Sequence, residues 1–140
     1  MSIINAIISA IMSFIMLFFP GTGGGEKTYI DVDEIKVVDD YDGKTGIIDD
    51  YNTWKKTSVG AKDSKYNQEF FKDNSLALVK VTRPSPGYEV EVKNAYEQGS
   101  KLVVEYELNQ LPGFFVQIIC DSTIVVPVSK DVKTYSAKEV

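Results

Sequence analysis

The chain has 140 residues, a formal charge of -5 and no histidine, and Cys120 is its only cysteine. An acidic chain without a basic stripe excludes nucleic acid as a partner, because phosphates demand a positive footprint, and argues equally against polybasic attachment to anionic lipid. Lack of histidine removes the usual general base, transition-metal ligand and pH switch, and a lone cysteine cannot form an intrachain disulfide.

Residues Ile3 to Phe19 carry no charge, and Pro20 with Gly21, Gly23, Gly24 and Gly25 closes the run. This pattern predicts an apolar α-helix about 25 Å long, slightly short of the ~30 Å hydrocarbon core of a bilayer. Such a segment can be a cleaved signal peptide, a retained membrane anchor or a helix that packs against copies of itself. Its helical wheel favours the last. Ile3, Ile4, Ile7, Ile8, Ile11, Phe14, Ile15, Phe18 and Phe19 fall on one half. Ser2, Asn5, Ala6, Ser9, Ala10 and Ser13 fall on the other, with Met12, Met16 and Leu17.

A signal peptide needs bulk hydrophobicity but not this segregation. Small-residue ladders let helix backbones approach and hydroxyls bond across. The expected self-association set is therefore Asn5, Ala6, Ser9, Ala10 and Ser13, framed by Ile7, Ile11, Phe14 and Phe18. Copies of the chain are the expected partners, in a membrane or in the apolar core of a filament.

The glycines of residues 21–27 form a short linker. Residues 31–50 are strongly acidic, and Ile35 to Val38 and Gly46 to Ile48 read as two strands of a hairpin around Asp42-Gly43. Asp40-Tyr41-Asp42-Gly43 invites a Ca²⁺ reading, but an EF-hand alignment would place Val38 at the first ligand position. A solvated turn is the adopted reading. Asp40, Asp42 and Asp49 are the carboxylates that a weak Ca²⁺ site would use.

Asp50 is suited to cap a short helix through Tyr51, Trp54 and Val59, and Asp63 or Ser64 another through Tyr66, Phe70 and Phe71. Trp54, Phe70 and Phe71 read as core anchors. The apolar run Ser75 to Thr82 predicts a central strand, broken by Arg83-Pro84-Ser85-Pro86-Gly87. Period-two alternation in Tyr88 to Val92 and in Val103 to Leu108 predicts two further strands, with a turn at Gln98-Gly99. Phe115 to Cys120 and Thr123 to Val128 complete the strand set. Cys120 reads as a small buried hydrophobe.

These readings give an α+β fold: an N-terminal hydrophobic α-helix plus a single mainly antiparallel β-sheet domain, as a sandwich or partly open barrel, with one or two short helices. The partition is residues 1–20 for the helix, 21–27 for the linker, 28–130 for an acidic β-rich domain and 131–140 for a polar tail. No nucleophile–base pair is legible. Ser64-Lys65, Ser100-Lys101 and Ser129-Lys130 are sequence neighbours, which a strand would point to opposite faces. No catalysis and no cofactor are expected. Two loops are candidates for a protein partner. One holds Phe114 and Phe115 beside a turn, and the other holds Arg83, the only arginine, on a stiffened loop. Ordinary packing is the competing reading for both.

Residues 66 to 130 resemble the C-terminal domain of the PrcB family, bacterial extracytoplasmic domains named for a protease-complex subunit. The resemblance is carried by Phe70-Phe71 with Ser75 to Val79, Pro86 to Val92, Lys101 to Tyr106, and Val125 to Lys130. It implies a compact β-rich fold, export and protein partners, and no catalytic residues. The family's double glycine before the tyrosine is Pro86-Gly87 here.

The expected function is a non-catalytic structural or assembly subunit of a bacterial cell-surface or extracellular homopolymer. The alternative is a secreted or membrane-anchored PrcB-like module that partners or modulates a protease.

Overall fold

The computed structural model describes residues 26–39, 41, 43, 45–63 and 65–140. At its centre, β4 (Asn74–Arg83) and β7 (Cys120–Ser129) pair antiparallel along their full length, from Asn74 opposite Ser129 to Arg83 opposite Cys120. Both strands are apolar on both faces, so each face needs a covering layer. Two short strands, β2 (Lys36–Val38) on β7 and β3 (Gly46–Ile48) on β4, complete a four-stranded sheet in the order β2-β7-β4-β3.

One face of this sheet presents Ala77, Val79, Val81, Ile124, Val126 and Val128 to a second sheet, which contributes Ala95, Leu102 and Val104 to the same core. The second sheet has the order β1-β5-β6-β8. It consists of β1 (Thr28–Tyr29), β5 (Tyr88–Gln98), β6 (Lys101–Gln110) and β8 (Thr134–Glu139). β5 and β6 are joined by Gly99-Ser100, with Gly99 at φ 62, as a two-residue turn led by glycine requires. The other face of the first sheet presents Leu76, Leu78 and Val125 to α1 (Tyr51–Lys55) and α2 (Gln68–Asp73), whose Trp54 and Phe71 are buried there with Tyr66. The result is a β-sandwich with a thin helical layer on one side.

The α+β expectation is corrected by these observations. Half of the described residues lie in strands, arranged in two sheets, only 15% are helical, and the longest described helix has six residues, so the described domain is mainly β. The cause is the double-faced burial of β4 and β7, which calls for a second sheet as well as helices. The expected N-terminal helix, with its self-association residues, lies outside the described residues, as do Asp40, Asp42 and Ser64.

Four local expectations also change. β2 and β3 do not form a hairpin with each other. They lie on opposite edges of one sheet, because each gains a full-length neighbour and buries Val38 or Ile48 under the helices. Residues 115–119 are not a strand, because Pro112 and Gly113, at φ 113, turn the chain away from β6 before it meets any neighbour. Helix α2 is capped by Asn67, whose side chain accepts from Phe70 N–H, while Asp63 folds into a tighter turn ahead of it. The polar tail contains β8, which pairs parallel with β6 from Lys101–Thr134 to Tyr106–Glu139. Asp50 does cap α1, accepting from Thr53 N–H at 2.8 Å.

Candidate interaction surface

Several polar side chains of the described domain tie its elements together. Asp63 accepts from the indole Nε1 of Trp54 at 3.1 Å and from the backbone N–H of Lys65 and Tyr66, so one carboxylate ties the loop between the helices. Glu97 accepts from Ser129 through both N–H and Oγ and clamps one sheet to the other. Asp49 accepts from Ser75 Oγ, and its carbonyl accepts from Lys130 Nζ beside an open depression of about 370 Å³. Asp49 is thus the one described member of the weak Ca²⁺ set, and it is occupied by protein groups. Among the described residues, no three His, Cys, Asp or Glu side chains gather at a metal-binding distance. No described helix is long and apolar enough to cross a membrane.

Arg83, expected on a partner-facing loop, is buried at the end of β4. Its Nη1 donates to the Tyr88 carbonyl at 2.8 Å and its Nη2 lies 3.7 Å from Asp39 Oδ1, while Nε is without a partner. Its guanidinium therefore straps the Pro84 to Gly87 turn against the start of β5. The side chain faces inward and is not displayed with Phe114.

The exposed chemistry lies at one end of the β5–β6 ribbon. There Tyr88 stands opposite Gln110, and Leu111 N–H donates to the Gly87 carbonyl at 2.7 Å, which is the last backbone tie before Cys120. Residues 112–119 make no backbone–backbone hydrogen bond among the described residues. Their side chains are mostly bare: Phe114 is 107% exposed, Ile119 73%, Val116 63%, Ile118 60% and Phe115 38%. Phe115 is the least exposed because its ring lies over Gly87. A hollow of about 130 Å³ runs beneath, lined by Ser85, Gly87, Tyr88, Leu111, Phe115 and Gln117. Together the five apolar side chains present an area on the order of 500 Å², the upper range for the largest patch of a soluble monomer.

The ribbon's exposed face is different. Glu91, Lys93, Glu107 and Asn109 form a connected polar lattice there, with Lys93 Nζ 3.2 Å from Glu91 and 3.6 Å from Glu107. The Asn109 amide, with Lys93, holds the Glu91 carboxyl below its usual range, and Glu91 in turn raises the Lys93 ammonium. Such charges blunt a ribbon whose outer edge is largely uncovered, since β1 reaches β5 only at Tyr96 and Glu97, with Ile30 N–H on Ala95.

The sequence singles out Phe114 and Phe115 but predicts a strand over Phe115 to Cys120. The available signal was charge. Residues 1–25 and 108–120 are the two longest stretches without Asp, Glu, Lys or Arg. Thr28 stands opposite Glu97, beside the Gly99 turn and roughly 30 Å along the strands from Gln110. The chain matches no family model, and comparison with curated proteins and with solved structures gives no significant match.

Proposed function

We propose that this protein is a non-catalytic assembly subunit that joins copies of itself through uncharged apolar segments and displays the β-sandwich between them. The observation that carries this reading is the bare 114–119 stretch, at the far end of the β5–β6 ribbon from Thr28, with a second uncharged run, residues 1–25, in the sequence. Two different self-associating surfaces on one chain give a polymer that grows, whereas a single two-fold surface gives only a closed dimer. Residues 3–19 supply one surface through the small-residue ladders at Asn5, Ala6, Ser9, Ala10 and Ser13. A cell-surface or extracellular location fits such a polymer.

A secreted or membrane-anchored binding module of the PrcB kind, which partners a protease, is the second reading. The exposed 114–119 stretch would serve it too, as a surface for a different protein. Intact mass together with negative-stain images of protein from its native source separates the two. Retained Met1 in filaments or large particles supports assembly. A mature terminus near Gly24 with monomeric behaviour contradicts it and favours the binding module.

A further inference from the structure

The 114–119 stretch combines apolar side chains in water with a backbone that makes no backbone–backbone hydrogen bond; its Phe115 carbonyl accepts from Gln117 Nε2 at 3.2 Å. A helix laid across it would cover the side chains but leave the backbone unpaired, at a cost if those groups were buried. An added extended strand pairs the backbone edge and lines its own apolar side chains up beside those of the stretch. The sequence Phe114-Phe115-Val116-Gln117-Ile118-Ile119 has high β propensity, no charge and no proline, the composition of a segment that pairs with its own kind.

We propose that residues 114–119 are a self-pairing strand, through which two copies of the chain join antiparallel about a two-fold axis at Gln117. A two-fold axis perpendicular to a sheet must keep opposite residues on the same face, so residue numbers across the pair sum to an even value. Centring on Gln117 places Phe115 opposite the partner's Ile119 and Val116 opposite the partner's Ile118. These are the aromatic–aliphatic and β-branched pairs that stabilise sheets. It also places Gln117 opposite its own copy, and a primary amide is self-complementary because it both donates and accepts.

Neighbouring registers are worse. Centring on Val116 sets Gln117 against Phe115, and centring on Ile118 sets Phe115 against Asp121. Repulsion between two acidic copies is small at this contact. No charge lies within the stretch, and the flanking Asp121 is already paired with Lys80 at 3.2 Å and bonded by Thr82.

Strands paired edge to edge leave both faces of the ribbon open, so the contact buries less than the ~1,000 Å² of a specific interface. It is therefore weak alone and gains from any second contact, as the N-terminal segment would provide. The inference stands independently of the N-terminal segment's role.

The test is disulfide trapping in the full chain with Cys120→Ala, so that one introduced thiol is present at a time. Gln117→Cys is expected to give a reducible dimer under mild oxidation at least about tenfold faster than Phe114→Cys or Ile119→Cys. The thiols at 117 face each other at about 5 Å, whereas those at the other two positions are several residues apart. Equal trapping at all three positions, as a parallel stack or nonspecific collapse would give, overturns the proposal, and so does no trapping at 117.

A second readout uses the unmutated chain, with a spin label on its single Cys120. The proposed register separates the two labelled backbones by about 20 Å. Labels in near contact, or with no measurable coupling in a dimeric sample, overturn it.

Discussion

The ring of Phe115 occupies the space that a side chain at position 87 would need. A Cβ on Gly87 would lie 2.7 Å from Cδ2 of Phe115 and 3.2 Å from its Cβ. This contact seats the first turn of the exposed stretch on the domain, and through Leu111 N–H to the Gly87 carbonyl the same glycine ties the end of β6.

Gly87→Ala is therefore expected to push Phe115 into water and to lower stability by about 1 kcal/mol, through overpacking and a lost ring contact. In a Phe115→Ala background the same change should cost close to nothing. A double-mutant cycle by urea unfolding measures the difference. Additive effects would mean that the ring and the glycine are not coupled.

The helical layer depends on a close approach between Gly60 and Trp54. A Cβ on Gly60 would fall 1.8 Å from the Trp54 carbonyl oxygen, a backbone atom that cannot step aside. Gly60→Ala is expected to cost more than about 2 kcal/mol. Asp63→Ala should cost a similar amount, about 2 kcal/mol, because it orphans the buried indole N–H and releases the turn at Tyr66. Trp54 is the only tryptophan, so its fluorescence reports both variants directly. Unchanged emission and unchanged unfolding midpoints would remove Asp63 from the account of this loop.

Acid should weaken the α1 cap in a defined direction. The N–H and hydroxyl of Thr53 donate to the Asp50 carboxylate and hold its pKa below the usual value. A folded-state pKa that is depressed adds stability above the unfolded pKa, and that stability is lost as pH falls through the folded value. The gap in urea midpoint between the natural chain and Asp50→Ala should be steady near neutrality. It should narrow as pH drops below about 4. A gap that widens in acid would contradict the capping role.

The two sheets are clamped by one carboxylate, because Glu97 on β5 holds both the Oγ and N–H of Ser129 on β7. Glu97→Gln retains one acceptor and is expected to cost about 1 kcal/mol. Glu97→Ala should cost about 2 kcal/mol by leaving the Ser129 donors unmet. Hydrogen exchange at Ser129 is the direct readout, and equal protection in all three chains would exclude the clamp.

The parts of the fold legible in sequence were those where burial and local pattern agree. The apolar run of β4, the alternation in β5 and β6, the Gly99 turn and the Asp50 cap are of this kind. The hairpin around Asp42-Gly43 was misread because a turn signal is local, while β2 and β3 are placed by long strands distant in sequence. β8 was missed because Thr134 to Glu139 is a half-exposed edge strand whose parallel pairing with β6 leaves no run of apolar residues.

At the candidate surface, Phe114 and Phe115 stood out as paired aromatics. The remainder to Ile119 was hidden by its own β propensity, since sequence alone does not separate a strand that has a neighbour from one that lacks it. Arg83 was placed on a displayed loop because its proline-rich flank reads as exposed, whereas its guanidinium turns inward to the Tyr88 carbonyl.

The central claim is that two uncharged segments, residues 3–19 and 114–119, join copies of this chain. Sedimentation of the full chain beside a chain lacking residues 1–20 tests it most directly. The full chain is expected to form large particles, and the shortened chain to sediment as a monomer in slow or concentration-dependent exchange with a dimer. A shortened chain that sediments as the same large particle, or a full chain that remains monomeric at every concentration, would contradict the claim.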